Sequence, residues 1–405
     1  MKRKTYYLFA AVAVLMIAVA SAFATGIFGP ETLTGLVSVI TGGGIVGALG
    51  LVGAPGMPQA GGQPQLLPFR QNTRQKFASA GSDLTYGTGS SLSMTLPKVG
   101  YLSKIYIRFN GSITATSAGA DTITYAKFGP WSVLRNINFN MNSGKQTLID
   151  ASGYEMFLHQ STRKKNGRTD QQTDSDFYAA PTTGSAQAMR LTWEIPIAVS
   201  DGQNFAVGLV NLQAPELQAT LNLTCAAALT DIGTNISTLT GTFNVAYEYY
   251  EVPDPSRVSQ PAIVVHKIIS QATAVASTGD NRVEIPRGGT LLRVLQILEC
   301  NGAKSDAYDS VEIILNKTQS MAKLDRWNAK FRNRQQYGYV LPTGVFCWDF
   351  QNAWDQCEES DLRDALDTER VTTTEFVTRV TAGTTLGTNN NFIYSVREFL
   401  QIPVA

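Results

Sequence analysis

One segment of this chain occurs twice, and that recurrence constrains the fold more than any other feature. Leu96-Pro97-Lys98-Val99-Gly100-Tyr101-Leu102-Ser103-Lys104-Ile105 is answered 189 positions later by Ile285-Pro286-Arg287-Gly288-Gly289-Thr290-Leu291-Leu292-Arg293-Val294. Proline, a base, glycine, leucine, a second base and a β-branched residue keep their places. A second echo closes each copy. Tyr247-Glu248-Tyr249-Tyr250-Glu251-Val252-Pro253 returns as Arg397-Glu398-Phe399-Leu400-Gln401-Ile402-Pro403, keeping the glutamate and ending on proline. A period this long lies far outside solenoid and propeller repeats, so each copy is expected to be a whole domain with its own core. A chain of 405 residues has room for two such modules behind an N-terminal extension.

Within the copies the apolar residues follow a period of two. Ser103, Ile105, Ile107 and Phe109 alternate with Lys104, Tyr106 and Arg108, and Phe243, Val245, Tyr247 and Tyr249 alternate with Asn244, Ala246 and Glu248. Each is the pattern of a strand with one buried face. Leu291 to Leu298 is apolar almost throughout. Its correspondence with the alternating first copy predicts a strand buried on both faces. Two stretches predict helices. Gln319 to Arg334 sets Leu324, Trp327 and Phe331 on one face and Lys323, Arg326, Lys330 and Arg334 on another, a basic stripe able to face anionic lipid. Ser360 to Leu366 is the shorter candidate, with Ser360 as N-cap. Short strands punctuated by Ser, Thr, Gly and Asn give a mainly β fold class, two tandem eight-stranded jelly rolls with short helices in loops. The first roll is expected over residues 69–255 and the second over 256–405.

The extension reads differently. Met1-Lys2-Arg3-Lys4 precedes an uncharged apolar run from Tyr6 to Phe28, long enough to cross a hydrocarbon core of about 30 Å. Ser21-Ala22-Phe23-Ala24 also looks like the cleavage site of a signal peptide. A second uncharged run, Leu33 to Ala54, follows the break at Gly29-Pro30-Glu31, so residues 1–54 are expected to form a hydrophobic helical hairpin. Its membrane-contacting residues would include Leu8, Val14, Ile17, Leu36, Ile40, Gly43, Gly47 and Leu51. Gly43 and Gly47 make a GxxxG pair that lets helices approach closely in lipid. Gly42, Gly44 and Gly47 match a dinucleotide fingerprint but lack its strand and its downstream acid. With the basic end cytoplasmic, one span leaves the body outside the cell and two spans return it. Residues 55–68, rich in Pro, Gly and Gln, form a linker.

Composition argues against several functions. Charged residues make up 16%, against about 25% in an average soluble domain, and a net charge of +1 gives no long-range attraction for nucleic acid. Arg163-Lys164-Lys165-Asn166-Gly167-Arg168 is neutralised by Asp170, Asp174 and Asp176. Cys225, Cys300, Cys347 and Cys357 contain no CxxC pair and read as buried free thiols. His159 and His266, the only histidines, lack metal-ligand spacing and have no GxSxG elbow to serve, so no catalytic residue, metal or cofactor is expected. Asn110, Asn222, Asn235 and Asn316 head sequons that matter only on a glycosylating route.

Five segments carry a resemblance: Leu96 to Leu102; Gly129-Pro130-Trp131-Ser132-Val133-Leu134-Arg135-Asn136-Ile137; Trp193-Glu194-Ile195-Pro196; Asp349-Phe350; and Leu362-Arg363-Asp364-Ala365-Leu366-Asp367-Thr368. In this order they resemble the double jelly-roll major capsid proteins of tectivirus-like, membrane-containing, tailless icosahedral bacteriophages, across roughly Phe69 to Ala405. The resemblance implies a homotrimer of near-hexagonal outline that tiles a shell beside neighbouring trimers. It also implies an inner membrane beneath, a separate vertex (penton) protein, no specific nucleic acid, and assembly in the bacterial cytoplasm.

A competing reading is an exported carbohydrate- or receptor-binding β-sandwich with a cleaved signal peptide, since jelly rolls also serve as lectins. The two readings part at Ala24-Thr25. Mass spectrometry of the mature chain is expected to find the peptide across that bond intact; cleavage there would favour the exported protein.

Overall fold

Among the described residues, the strands of five residues or more fall into two sets of eight. In the computed structural model the described residues are 69, 72–116, 122–142, 144–163, 186–200, 206–252, 264–351, 365–388 and 390–401. The expected hairpin and linker, the basic run from Lys164, Cys357 and most of the second predicted helix lie outside them. Among the described residues no helix is long and apolar enough to cross a membrane. The first copy contributes β1 (Arg74–Ser79), β2 (Ser91–Thr95), β3 (Tyr101–Ala115), β4 (Leu134–Met141), β5 (Gln146–Ala151), helix α1 (Gly153–Arg163), β6 (Ala186–Pro196), β7 (Ala219–Cys225) and β8 (Ile236–Glu251). The second contributes β9 (Val265–Ala274), β10 (Gly279–Ile285), β11 (Thr290–Cys300), β12 (Tyr308–Leu315), β13 (Gln319–Asp325), helix α2 (Arg326–Tyr337), β14 (Val345–Asp349), β15 (Thr374–Val380) and β16 (Phe392–Gln401).

These strands pair into three sheets: β1-β8-β3-β6 at one end, β10-β15-β12-β13 at the other, and a central β14-β11-β16-β9-β5-β4-β7-β2. Half of the central sheet closes each roll. The halves meet where β9 runs parallel to β5, Ile268 beside Ile149 and Ile269 beside Asp150. The first core holds Ile105, Phe109, Phe139, Trp193, Leu221 and Phe243, and the second holds Val294, Val311, Phe346, Trp348 and Phe376. Strand β11 is buried from Leu291 to Cys300, as its unbroken apolar run predicts. Val294 and Leu298 face the second core, while Leu295 and Ile297 join the first.

The sequence repeat is a repeat of strand register. In β3 and β8, Ile105 stands opposite Tyr247, Lys104 opposite Glu248, and Leu102 opposite Tyr249, with Ser103 left over as a bulge. In β11 and β16, Val294 stands opposite Arg397, Arg293 opposite Glu398, and Leu291 opposite Phe399, with Leu292 left over. The two echoes are therefore partner strands, and the bulge that bends them sits at the same place in both. The shared glycine has a steric cause. A Cβ on Gly289 would lie 2.6 Å from the Leu400 carbonyl oxygen, and one on Gly100 would meet the carbonyl of Tyr250, the equivalent residue.

The predicted helix over 319–334 requires correction. Residues 319–325 form strand β13, and the helix starts only at Arg326. Ala322 and Leu324 pack against the second core with the period of a strand. Asp325 then ends the strand by capping α2, accepting a hydrogen bond from the Asn328 amide at 2.8 Å. Trp327 and Phe331 do not form the buried face: they are 70% and 47% exposed, and Ala329, Asn333 and Tyr337 point inward instead. Strand followed by helix is also the order of β5 and α1, where Ser152 and Glu155 cap each other's backbone amides.

Gly289→Ala is expected to lower the unfolding free energy by about 1–3 kcal/mol through steric strain. Gly100→Ala should cost at least as much, because its φ of +52° adds backbone strain. Denaturant midpoints of the two variants check this.

Candidate functional site: the seam between the rolls

Helix α1 is buried all round, unlike a surface helix. Its first-roll side packs through Phe157, stacked on Trp131 at 3.9 Å, and through the Gly153 carbonyl, which accepts from Trp193 Nε1 at 2.8 Å. Its other side meets the second roll through polar groups. Glu155 Oε1 accepts from Ser270 Oγ at 2.6 Å, Tyr154 Oη from Lys304 Nζ at 3.0 Å, and Ser161 Oγ from Tyr339 Oη at 3.0 Å. Lys127 and Tyr394 both bind the carboxylate of Glu299.

At the centre of this seam both histidines of the chain meet one carboxylate. His159 Nε2, from α1, lies 2.7 Å from Glu398 Oε2, and His266 Nε2, from β9, lies 2.9 Å from Glu398 Oε1. The other nitrogen of His266 faces the Pro196 carbonyl at 3.1 Å. Arg293 approaches Glu398 at 3.8 Å, pairs with Asp349 at 2.9 Å, and donates to Thr162 Oγ1 at 3.1 Å. Tyr337 Oη donates to Asp349 at 3.3 Å. With acceptors on both sides, His266 makes both contacts only if one additional proton is held between it and Glu398.

The environment favours structure over chemistry. Burial lowers the Arg293 pKa, but the charges of Asp349 and Glu398 outweigh it and hold the guanidinium well above its ordinary range. Burial pushes the Cys347 thiol up to about 12, so it is no thiolate nucleophile at neutral pH. Burial likewise raises Tyr337 well above the usual phenol range. Cys225 and Cys300 are buried free thiols as well. Among the described residues no three His, Cys, Asp or Glu side chains are placed to hold a metal.

The four expected lipid-facing bases do not form one helical stripe. Lys323 lies on β13 and pairs with Glu312 at 3.4 Å, Arg326 donates to the Asp306 carbonyl at 3.2 Å, Lys330 pairs with the Asp306 carboxylate, and Arg334 is exposed. The membrane-contacting residues from Leu8 to Leu51 lie outside the described residues. Local spacing hid the histidine site, because Glu398 is 239 and 132 residues away from its two partners. The signal that could have found it was the glutamate kept in both echoes.

No family profile and no curated protein matches the sequence. Solved structures do match. The STIV MCP superposes with a TM-score of 0.64 at 15% identity, over 82% of this chain and 97% of that one. A chain from the structure of Sulfolobus Turreted Icosahedral Virus gives 0.61 at 16%, over 81% and 91%. One from the PBCV-1 virus capsid gives 0.54 at 14%, over 81% and 94%. The chain has the double jelly-roll fold of viral major capsid proteins, the class its sequence resembles.

Glu398→Ala is expected to cost about 3–5 kcal/mol, since it leaves Arg293 and the histidines buried without their shared partner. Glu248→Ala, at the equivalent half-exposed position bonded to Gln75 and Tyr106, should cost about 1 kcal/mol. Denaturant midpoints compare the two.

Proposed function

We propose that this chain is the major capsid subunit of an icosahedral virus and that three copies close head to tail into a near-hexagonal tile. One observation carries this reading: each side of the seam inside the chain has a counterpart that faces solvent. The helices correspond through their caps, Ser152 with Asp325. The Gln160 amide oxygen accepts from the Glu194 amide as that of Asn333 does from Cys347. On this alignment Tyr154, Leu158 and His159 of α1 correspond to Trp327, Phe331 and Arg332 of α2. Trp327 and Phe331 stack on each other in the open, 5.2 Å apart. On the receiving side Ile268, His266 and Glu398 correspond by register to Phe77, Gln75 and Glu248. Gln75 bonds Glu248 at 3.1 Å much as His266 bonds Glu398, yet Phe77 is 64% exposed.

A second copy that repeats the internal seam covers both patches at once, placing α2 against β1 and β8 of its neighbour. Exposed aromatic clusters of this kind mark protein contacts, and closed symmetry uses the same pair of patches three times. Arg332, now over the Trp348 ring, would then reach the neighbour's Glu248 as His159 reaches Glu398. Residues 69–255 and 256–405 are the two rolls, 55–68 the linker, and 1–54 the hairpin that ties the shell to an inner membrane in the virion. Neighbouring trimers complete the facet, and a separate penton protein fills the vertices. Of the four expected bases, lipid contact would fall mainly to Arg334, since Lys323 and Lys330 already have acidic partners and Arg326 donates to the Asp306 carbonyl. The role requires no catalysis, cofactor or nucleic acid.

Light scattering coupled to size exclusion of the detergent-solubilised chain is expected to give three times 43.8 kDa of protein, with a near-hexagonal outline in the imaged peak. Trp327→Glu and Phe77→Glu, on opposite sides of the contact, should each yield folded monomer. Arg332→Glu should weaken the trimer, and Glu248→Arg in the same chain should restore it. A wild-type monomer would overturn the capsid reading, while a trimer indifferent to all four changes would overturn only this interface.

A further inference from the structure

A cavity of about 180 Å³ opens at the second copy of the repeated segment, lined by Pro286-Arg287-Gly288-Gly289 and by strands β9, β11 and β16. A single water needs only roughly 10–15 Å³, so the space admits a small organic molecule. Ile269, Ile285, Leu291 and Phe399 make most of its wall apolar. Arg397 is the exception. Its residue is only 7% exposed, its Nε has no hydrogen-bond partner, and no carboxylate among the described residues pairs with it. Burial alone acts on its pKa, lowering it. Arg287 stands at the rim, donating to the Glu369 carbonyl at 3.0 Å, and Lys267 lies opposite Phe399 in the strand pairing. Among the described residues no acidic side chain lines the space.

The fold does not need this charge. Tyr247 holds the equivalent position of the first roll, opposite Ile105 as Arg397 is opposite Val294, and is equally buried. In that roll the equivalent of Arg287, Lys98, closes onto the Pro215 carbonyl at 2.6 Å. A guanidinium kept in an apolar interior without a counter-charge is costly, and its planar fork suits a carboxylate or phosphate. Apolar walls with one convergent charged group describe a site for a ligand with both characters.

We infer that the second roll binds a small amphiphilic oxyanion, an alkyl carboxylate or alkyl phosphate, with its head on Arg397 and its chain against Ile285, Leu291 and Phe399. Titration calorimetry of the full chain in neutral detergent, with hexanoate, hexyl phosphate, inorganic phosphate and hexanol as probes, tests this. One of the two alkyl anions should bind once per chain, and hexanol at least tenfold more weakly. Inorganic phosphate weaker than hexyl phosphate supports the apolar part of the site; equal binding overturns that part. Arg397→Tyr, which installs the residue of the first roll, should still fold and lose at least tenfold in affinity. Arg287→Gln, at an exposed position, should lose less. Should Arg397→Tyr fail to fold, Ile269→Phe at the half-buried wall fills the cavity and must abolish binding. The inference fails if neither alkyl anion binds, if binding survives Arg397→Tyr or, where that variant does not fold, Ile269→Phe, or if hexanol matches the anions.

Discussion

The carboxylate of Glu398 fixes how the two rolls meet. An apolar seam would be non-directional, because burial of hydrocarbon rewards area and not orientation. Here two imidazoles and a guanidinium from three different elements converge on one side chain of β16, and Asp349 anchors the guanidinium from a fourth. Few relative placements satisfy all of these groups, and a misplacement strands buried charge. The central sheet supplies the area and the charge group supplies the register.

The same face serves both rolls under different conditions. Lys104 and Glu248 of the first roll stand where Arg293 and Glu398 stand in the second. In the first roll Lys104 pairs with Glu194 at 2.9 Å on a partly solvated surface, where lysine and glutamine partners suffice. In the second roll the positions are sealed, and the partners become arginine and histidine. Arginine keeps its charge when buried and offers a planar fork, so it suits the closed version of the site.

Much of this was legible in the sequence because strand pairing preserves register. The repeat marked the strands and the glycine that recur, while their pairing and shared bulge came from the structure, and the unbroken apolar run in β11 marked a strand covered on both sides. The helix over 319–334 was misread because Leu324, Trp327 and Phe331 have helical spacing although Leu324 belongs to a strand. Laying β5 and α1 over that stretch would have separated them. The seam was invisible to local patterns, since its members come from α1, β9, β11, β14 and β16. Arg397 stood in the sequence only as the first residue of an echo, and its meaning depended on a cavity that no spacing reports.

The central sheet passes without interruption from one roll into the next, carried across by the parallel contact of β9 with β5. Bending the chain there would break main-chain hydrogen bonds and expose the charge group together. In a shell built from such chains each subunit would act as a stiff plate. Curvature would then have to be taken up where one plate abuts another, and shells of different radius could be built without deforming the plate.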